Sequence, residues 1–181
     1  PGSPRRSGTV PPGRRSLTGL FVGLTTIDTA YLLDTYPVQD SKNQARDFFL
    51  TAGGPAANAA VTFAHLGGKA RLLTALGAHP LANVARADLT DHGVQIHDAQ
   101  PDLSQPPVSA IVVAGQADAE PAGASDGVGS RTVVSMDAAR VDARFCDEHL
   151  ALLDGVDIVL LDGHLGELCG GVATEARRRG I

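Results

Sequence analysis

The residues best suited to chemistry are a glycine-rich helix entry and a few acids at strand ends. Residues 53–58 read GGPAAN and lead into the apolar run AAVTFAHLGG. Glycines let the backbone turn, and the free N–H groups of a first helical turn point at a ligand, so the stretch reads as a cradle for an anion or another polar group. It is not GxxxxGK[ST], because no Lys follows. It is not GxGxxG, and it does not directly follow the first strand, as a dinucleotide fold requires. The plainer reading is that Gly53 and Gly54 permit a tight turn and close packing. Asn58 heads a polar stripe with Thr62 and His65 on an otherwise apolar helix. That stripe is either a solvated face or, at its first turn, the wall of a cleft.

Asp28 follows the run GLFVGLTTI (19–27), which reads as a buried strand. Ligands of open α/β sheets sit outside the carboxyl ends of the strands, and a carboxylate there accepts hydroxyl hydrogen bonds from a polyol. The alternative is a turn or helix-capping aspartate. Asp162 and His164, in LLDGH (160–164), are candidates by the same rule. The six histidines are scattered without metal-ligand spacing, and no GxSxG or Cys-His nucleophile pattern occurs.

The elements that would position these residues alternate. Strand 19–27 precedes an irregular segment, 34–52, read as edge strands or a flap. A helix follows from Pro55, suited to a first turn, to a C-cap at Gly67-Gly68. Next come strand 70–77, helix 81–93 and strand 94–99. Helical crossovers between buried strands predict a doubly wound, mostly parallel α/β sheet. The runs PVSAIVVAG and SRTVVSM, within 107–135, predict a hairpin with a polar tip and a second flap. Helix 143–155, strand 156–164 and helix 167–180 complete the pattern. Gly180 reads as a C-cap and Ile181 as the first residue of another strand, so the alternation is expected to continue past it.

The 181 residues are 43% hydrophobic and 19% charged, an ordinary globular composition. Aromatics make up 4% and Trp is absent, which leaves Ala, Val, Leu and Ile to build the core. The net charge of −5 is uneven. Residues 1–16, expected to be an unfolded tail, hold four arginines and no acid, leaving 11 basic against 20 acidic residues in the body. An acidic, aromatic-poor body is a poor nucleic-acid surface. No apolar run reaches membrane-spanning length, and no signal-peptide core is present. Cys146 and Cys169 read as buried small hydrophobes in a reducing compartment, so a cytoplasmic location is expected.

The order GLTTID (23–28), GGPAANAAVTFAHLGG (53–68), LLTALG (72–77) and DLTDHGV (88–94) resembles the N-terminal half of the PfkB, or ribokinase-like, carbohydrate kinases. The likeness runs over residues 20–181 and is weakest over 116–150. It implies a central sheet with helices on both faces and a small β lid built from 34–52 and 107–135. It implies that Asp28, Gly53, Gly54, Asn58 and His164 bind the sugar, and that lid strands pair between subunits of a homodimer. For the full-length protein it implies ATP and Mg2+ as the phosphoryl donor, with a sugar hydroxymethyl group as acceptor. Two departures stand out. The family's Gly-Asp step after the third strand reads GAHPLA (77–82) here. The DTxGAGD signature, with its base Asp and anion-stabilising helix, is missing and is expected beyond Ile181. The 181 residues alone are therefore expected to be inactive, a sugar-binding portion. A sugar- or partner-binding module without catalysis and a Rossmann-type nucleotide domain remain the alternatives.

Overall fold

The computed structural model describes residues 15–115, 130–136 and 138–181. Two four-stranded sheets organise the chain. The first is all parallel and holds β1 (Thr18–Val22), β4 (Lys69–Thr74), β5 (Val94–Asp98) and β8 (Ile158–Leu161), in the order β5-β4-β1-β8. The second is mixed and holds β2 (Thr26–Leu33), β3 (Asp47–Gly53), β6 (Val108–Ala114) and β7 (Ser130–Met136), in the order β3-β2-β6-β7. Among the described residues three α-helices accompany the sheets: α1 (Pro55–His65), α2 (Pro80–Asp91) and α3 (Gly166–Arg179).

The parallel sheet follows from its sequence. Its inner strands are apolar on consecutive residues, as strands covered on both faces must be. Leu20, Val22 and Leu73 face one way, onto Leu168, Val172 and Ala176 of α3. Phe21 and Leu72 face the other way, onto Ala56, Ala57 and Ala60 of α1 and Leu89 of α2. Each fully buried Leu contributes roughly 2–3 kcal/mol. The alanine face of α1 lets that helix lie close to the sheet, which offsets the shortage of aromatic bulk.

The predicted strand 19–27 is two strands in different sheets. β1 ends at Val22, the chain bends through Gly23 (φ 149°), and β2 begins at Thr26 in the second sheet. Burial runs unbroken through the bend, over Leu24, Thr25, Thr26 and Ile27, which is why the stretch reads as one strand. Asp28 therefore lies inside β2 and not at the end of a parallel-sheet strand. Ile27 packs on Leu76, Ala82 and Ala85, so α2 supports the base of the second sheet.

The flap expectations map onto that second sheet. β3 pairs antiparallel with β2, and β6 with β7, as the hairpin reading requires. The hairpin tip, 116–129, lies outside the described residues, as does the tail up to residue 14. Arg15 and Ser16, assigned to the tail by the sequence, bind Asp157 and the Gly67 carbonyl.

Two further expectations are corrected. The predicted helix 143–155 is a 3-10 turn, Asp147–Leu153. It begins late because Cys146, with extended backbone, forms its capping box with His149, and Arg71 Nη1 donates to the carbonyls of Leu152 and Asp154 at its end. Cys146, as that cap residue, is exposed. Cys169 is buried, donates its thiol to the Val22 carbonyl at 3.7 Å, and has its titration pushed up by burial.

Both glycine stops hold. Gly68 and Gly67 N–H donate to Phe63 and Ala64 carbonyls after α1, and Ile181 and Gly180 N–H donate to Ala176 and Arg177 carbonyls after α3. These are the paired bonds of a left-handed helix terminus, with Gly67 at φ 92° and Gly180 at φ 73°. In the departure GAHPLA, His79 Nδ1 accepts the Leu81 N–H at 3.1 Å and caps α2.

Candidate substrate site

The site grows from the place where β3 runs into α1. Gly53 is the last residue of β3 and lies opposite Thr26 of β2, next to Asp28 on the same face. Thr26 Oγ1 donates to Asp28 Oδ1 at 2.6 Å, which fixes the carboxylate. A methyl group at Gly53 would lie 2.0 Å from Asp28 Oδ2. Among the described residues, Oδ2 accepts no hydrogen bond. The carboxylate thus lies against bare main chain at the mouth of α1 with one oxygen free.

Gly54 caps α1 with φ 98°, a conformation that side chains resist. A methyl group there would lie 2.3 Å from the Leu24 carbonyl oxygen. Asn58 N–H donates to the Gly54 carbonyl as the helix begins. The two glycines therefore differ in role. Gly54 makes the turn, and Gly53 leaves room for Asp28.

Asp162 ties this junction together. At the end of β8 it accepts the N–H of Leu24 at 2.8 Å and of Ala56 at 3.2 Å on Oδ2, and that of His164 at 2.9 Å on Oδ1. Gly23 is required beside it, since a methyl group there would lie 2.0 Å from Oδ1. One carboxylate thereby joins the bend between the two sheets to the first turn of α1. One of the N–H groups it takes, that of Ala56, is one an anion would otherwise meet at that helix end.

Asp98 repeats the device at the end of β5. It accepts the N–H groups of Leu76, Gly77 and Gln100 and pairs with Arg86 of α2 at 2.5 Å.

Asp28, Gly53 and Gly54 are brought together. Asn58, one turn into α1, is exposed and lines an apolar recess of about 390 Å³ with Phe21, Thr62, Phe63, Leu66, Ile158 and Leu160. His164 is exposed in the turn after β8, and its ring makes no hydrogen bond among the described residues. The sequence missed the Thr26 hydroxyl, although its i, i+2 spacing from Asp28 in a strand signals a shared face. It treated Asp162 as a ligand group, whereas the carboxylate is taken up by backbone. Among the described residues no group of three or more His, Cys, Asp or Glu side chains could hold a metal ion, and no helix is long and apolar enough to cross a membrane.

A parallel sheet covered by helices on both faces, with a second mixed sheet beside it, is a fold this chain shares with solved carbohydrate kinases. The profile of the pfkB family carbohydrate kinases matches residues 20–175, and the chain belongs to that family. The fold is similar to that of a carbohydrate kinase from Agrobacterium tumefaciens (TM-score 0.66, 17% identity, 90% of this chain and 50% of that one). It is similar to ribokinase of Arabidopsis thaliana, solved with ribose and ATP (TM-score 0.64, 18% identity, 92% and 52%). It is also similar to 2-dehydro-3-deoxygluconokinase of Thermotoga maritima (TM-score 0.63, 20% identity, 91% and 49%). The chain spans about half the length of these structures.

Proposed function

We propose that this chain is the sugar-holding portion of an ATP-dependent carbohydrate kinase whose full-length form phosphorylates a sugar hydroxymethyl group. The observation that carries the reading is the Asp28 carboxylate, fixed by Thr26 and set against Gly53 with one oxygen free. An ionised carboxylate accepts two hydroxyl hydrogen bonds, and the bare main chain beside it lets a ring approach. Asn58 and His164 are further candidates for sugar contact on the family likeness alone, since Asn58 lines the recess beside β8 and His164 lies in the turn after it. MgATP is the donor in the full-length protein, and the base and anion-stabilising helix belong to the other half. The open apolar edge at β8, where Ile158 is 50% exposed, supports that division. The exposed apolar side chains beyond the part of the second sheet covered by α2, Tyr31 and Phe48 with rings 5.1 Å apart among them, support pairing through the lid in a homodimer.

The test is titration of this chain with D-ribose, D-fructose and MgATP by calorimetry. Saturable sugar binding that Asp28→Ala abolishes, without tight ATP binding or sugar phosphorylation, is the expected outcome. Tight ATP or NAD binding weakened by a change at Gly54 would replace the reading with a nucleotide-binding domain.

A further inference from the structure

α2 lies behind the second sheet. Ile27, with Ala52 and Val108 beside it, packs against Ala82 and Ala85 of that helix. Asp28 follows Ile27 along β2, and successive strand residues point to opposite faces, so Asp28 points away from α2. The one helix nonetheless reaches both strands of the candidate site. It supports β2 by packing on Ile27, the residue before Asp28. It holds β3 by a polar contact at Ala52, the residue before Gly53, whose N–H donates to Asp88 Oδ2 at 2.7 Å.

That N–H is available because β3 is the outermost strand, and alternate N–H groups along an antiparallel edge point away from the ladder. The Asp88 carboxylate stands where a further strand would offer a carbonyl. It is itself oriented. His92, one turn on, places Nδ1 2.8 Å from the Asp88 carbonyl oxygen and 3.3 Å from Asp88 Oδ1. Both neighbours are acceptors, so Nδ1 carries the proton and donates. Oδ1 is thereby engaged by His92 and Oδ2 by Ala52. Among the described residues no other helix side chain hydrogen-bonds to the backbone of the second sheet.

The contact bears on the site through the main chain. A methyl group on Gly53 would lie 2.0 Å from Asp28 Oδ2, so the room around the free oxygen depends on where the Ala52–Gly53 peptide lies. The ladder to β2 sets the register of β3. The bond to Asp88 sets how the strand end is turned against α2. Resting on the sugar-binding reading above, we infer that Asp88 is a positioning residue for the Asp28 site. It acts through the Ala52 N–H, keeps the Gly53 main chain in place beside Asp28, and touches no ligand itself, since it stands behind the sheet.

The experiment uses the full 181-residue chain and its Asp88→Ala, Asp88→Asn and Asp88→Leu variants. Amide hydrogen exchange at Ala52 and Gly53 is read together with calorimetric affinity for D-ribose and D-fructose. Asp88→Ala is expected to speed exchange at Ala52 about tenfold or more, the size of a hydrogen bond to a charged group, and to leave the amides of β4 unchanged. It is expected to weaken the better sugar about fivefold, the scale of coupling carried through bonded elements. The side-chain amide oxygen in Asp88→Asn still accepts from Ala52, so that variant is expected to keep both properties within about twofold. Asp88→Leu fills the space without an acceptor and stands in for Asp88→Ala if circular dichroism shows that chain to be unfolded. Faster exchange at Ala52 with unchanged sugar affinity means that the bond only protects the strand edge, and overturns the inference while leaving the sugar site standing. Equal weakening of sugar binding by Asp88→Asn assigns the effect to charge and overturns it too. Absence of binding of either sugar by the unmodified chain overturns the proposed function and the inference together.

Discussion

Gly53 and Asp28 occupy the same space in the sense that only one of them can carry a side chain. A methyl group at Gly53 would lie 2.0 Å from Asp28 Oδ2 and 2.8 Å from Thr26 Oγ1. Gly53→Ala is expected to cost about 1–3 kcal/mol by overpacking. In an Asp28→Ala background that cost should fall by about 1 kcal/mol or more, since contacting residues couple on that scale. Urea unfolding of the four proteins measures the coupling, and strict additivity would show that the clash is relieved elsewhere.

Gly54→Ala should be worse, and Asp28→Ala should not rescue it. The backbone there is at φ 98°, and the atom met is the Leu24 carbonyl oxygen, held in the bend between the sheets. Strain and overlap together are expected to cost roughly 3 kcal/mol or more. The same unfolding assay separates the two glycines: one is rescued, the other is not.

Asp162→Ala removes the acceptor for Leu24, Ala56 and His164 N–H groups. A loss of about 2–4 kcal/mol is expected, because hydrogen bonds to a charged group are worth more than neutral ones and donors are left in a partly buried junction. Hydrogen exchange should accelerate at Leu24 and Ala56 before it does in β4. Uniform acceleration over the whole sheet would mean the carboxylate serves global stability and not the junction.

His79→Asp puts a better cap on α2 in place of the imidazole that now accepts from Leu81 N–H. Aspartate at this position also favours the positive helix end, so a gain of about 0.5–1 kcal/mol is expected. A higher midpoint in thermal unfolding checks it.

Acid should weaken the fold before any carboxylate titrates. Burial, then the Arg71 charge, then His149 hold His97 below its ordinary value of 6.5, and burial holds His149 below it as well. The folded chain then binds fewer protons than the unfolded chain, so stability is full above about 6.5 and falls as pH drops below it. Among the described residues His97 Nε2 also has no hydrogen-bond partner, though it is buried. His97→Leu is expected to stabilise more at pH 5.5 than at pH 7.5. Equal shifts at the two values would show that packing alone is involved.

Much of this was legible in the sequence for local reasons. Pro55 at a helix start and Gly67 and Gly180 at helix ends follow from what one residue does to its own backbone, and the runs of β6 and β7 from their β-branched residues. The alternation that gives a parallel sheet follows from apolar runs separated by amphipathic helices. The split of 19–27 was not legible, because burial between two sheets looks the same in sequence as burial inside one strand. The 3-10 turn at Asp147–Leu153 was hidden likewise, since it depends on Arg71, distant in the chain, reaching its carbonyls.

The sequence by itself determined the order of elements and the family likeness. These rest on short-range geometry and on residue types that allow few backbones. Tertiary structure decided that Asp28 shares a face with Thr26 and Gly53, and which aspartate keeps an oxygen without a hydrogen bond among the described residues. Strand register and the closing of Asp162 onto distant N–H groups set those outcomes. Both arise only when strands from separate parts of the chain lie side by side, and a one-residue slip in register would turn every side chain of the strand to the other face.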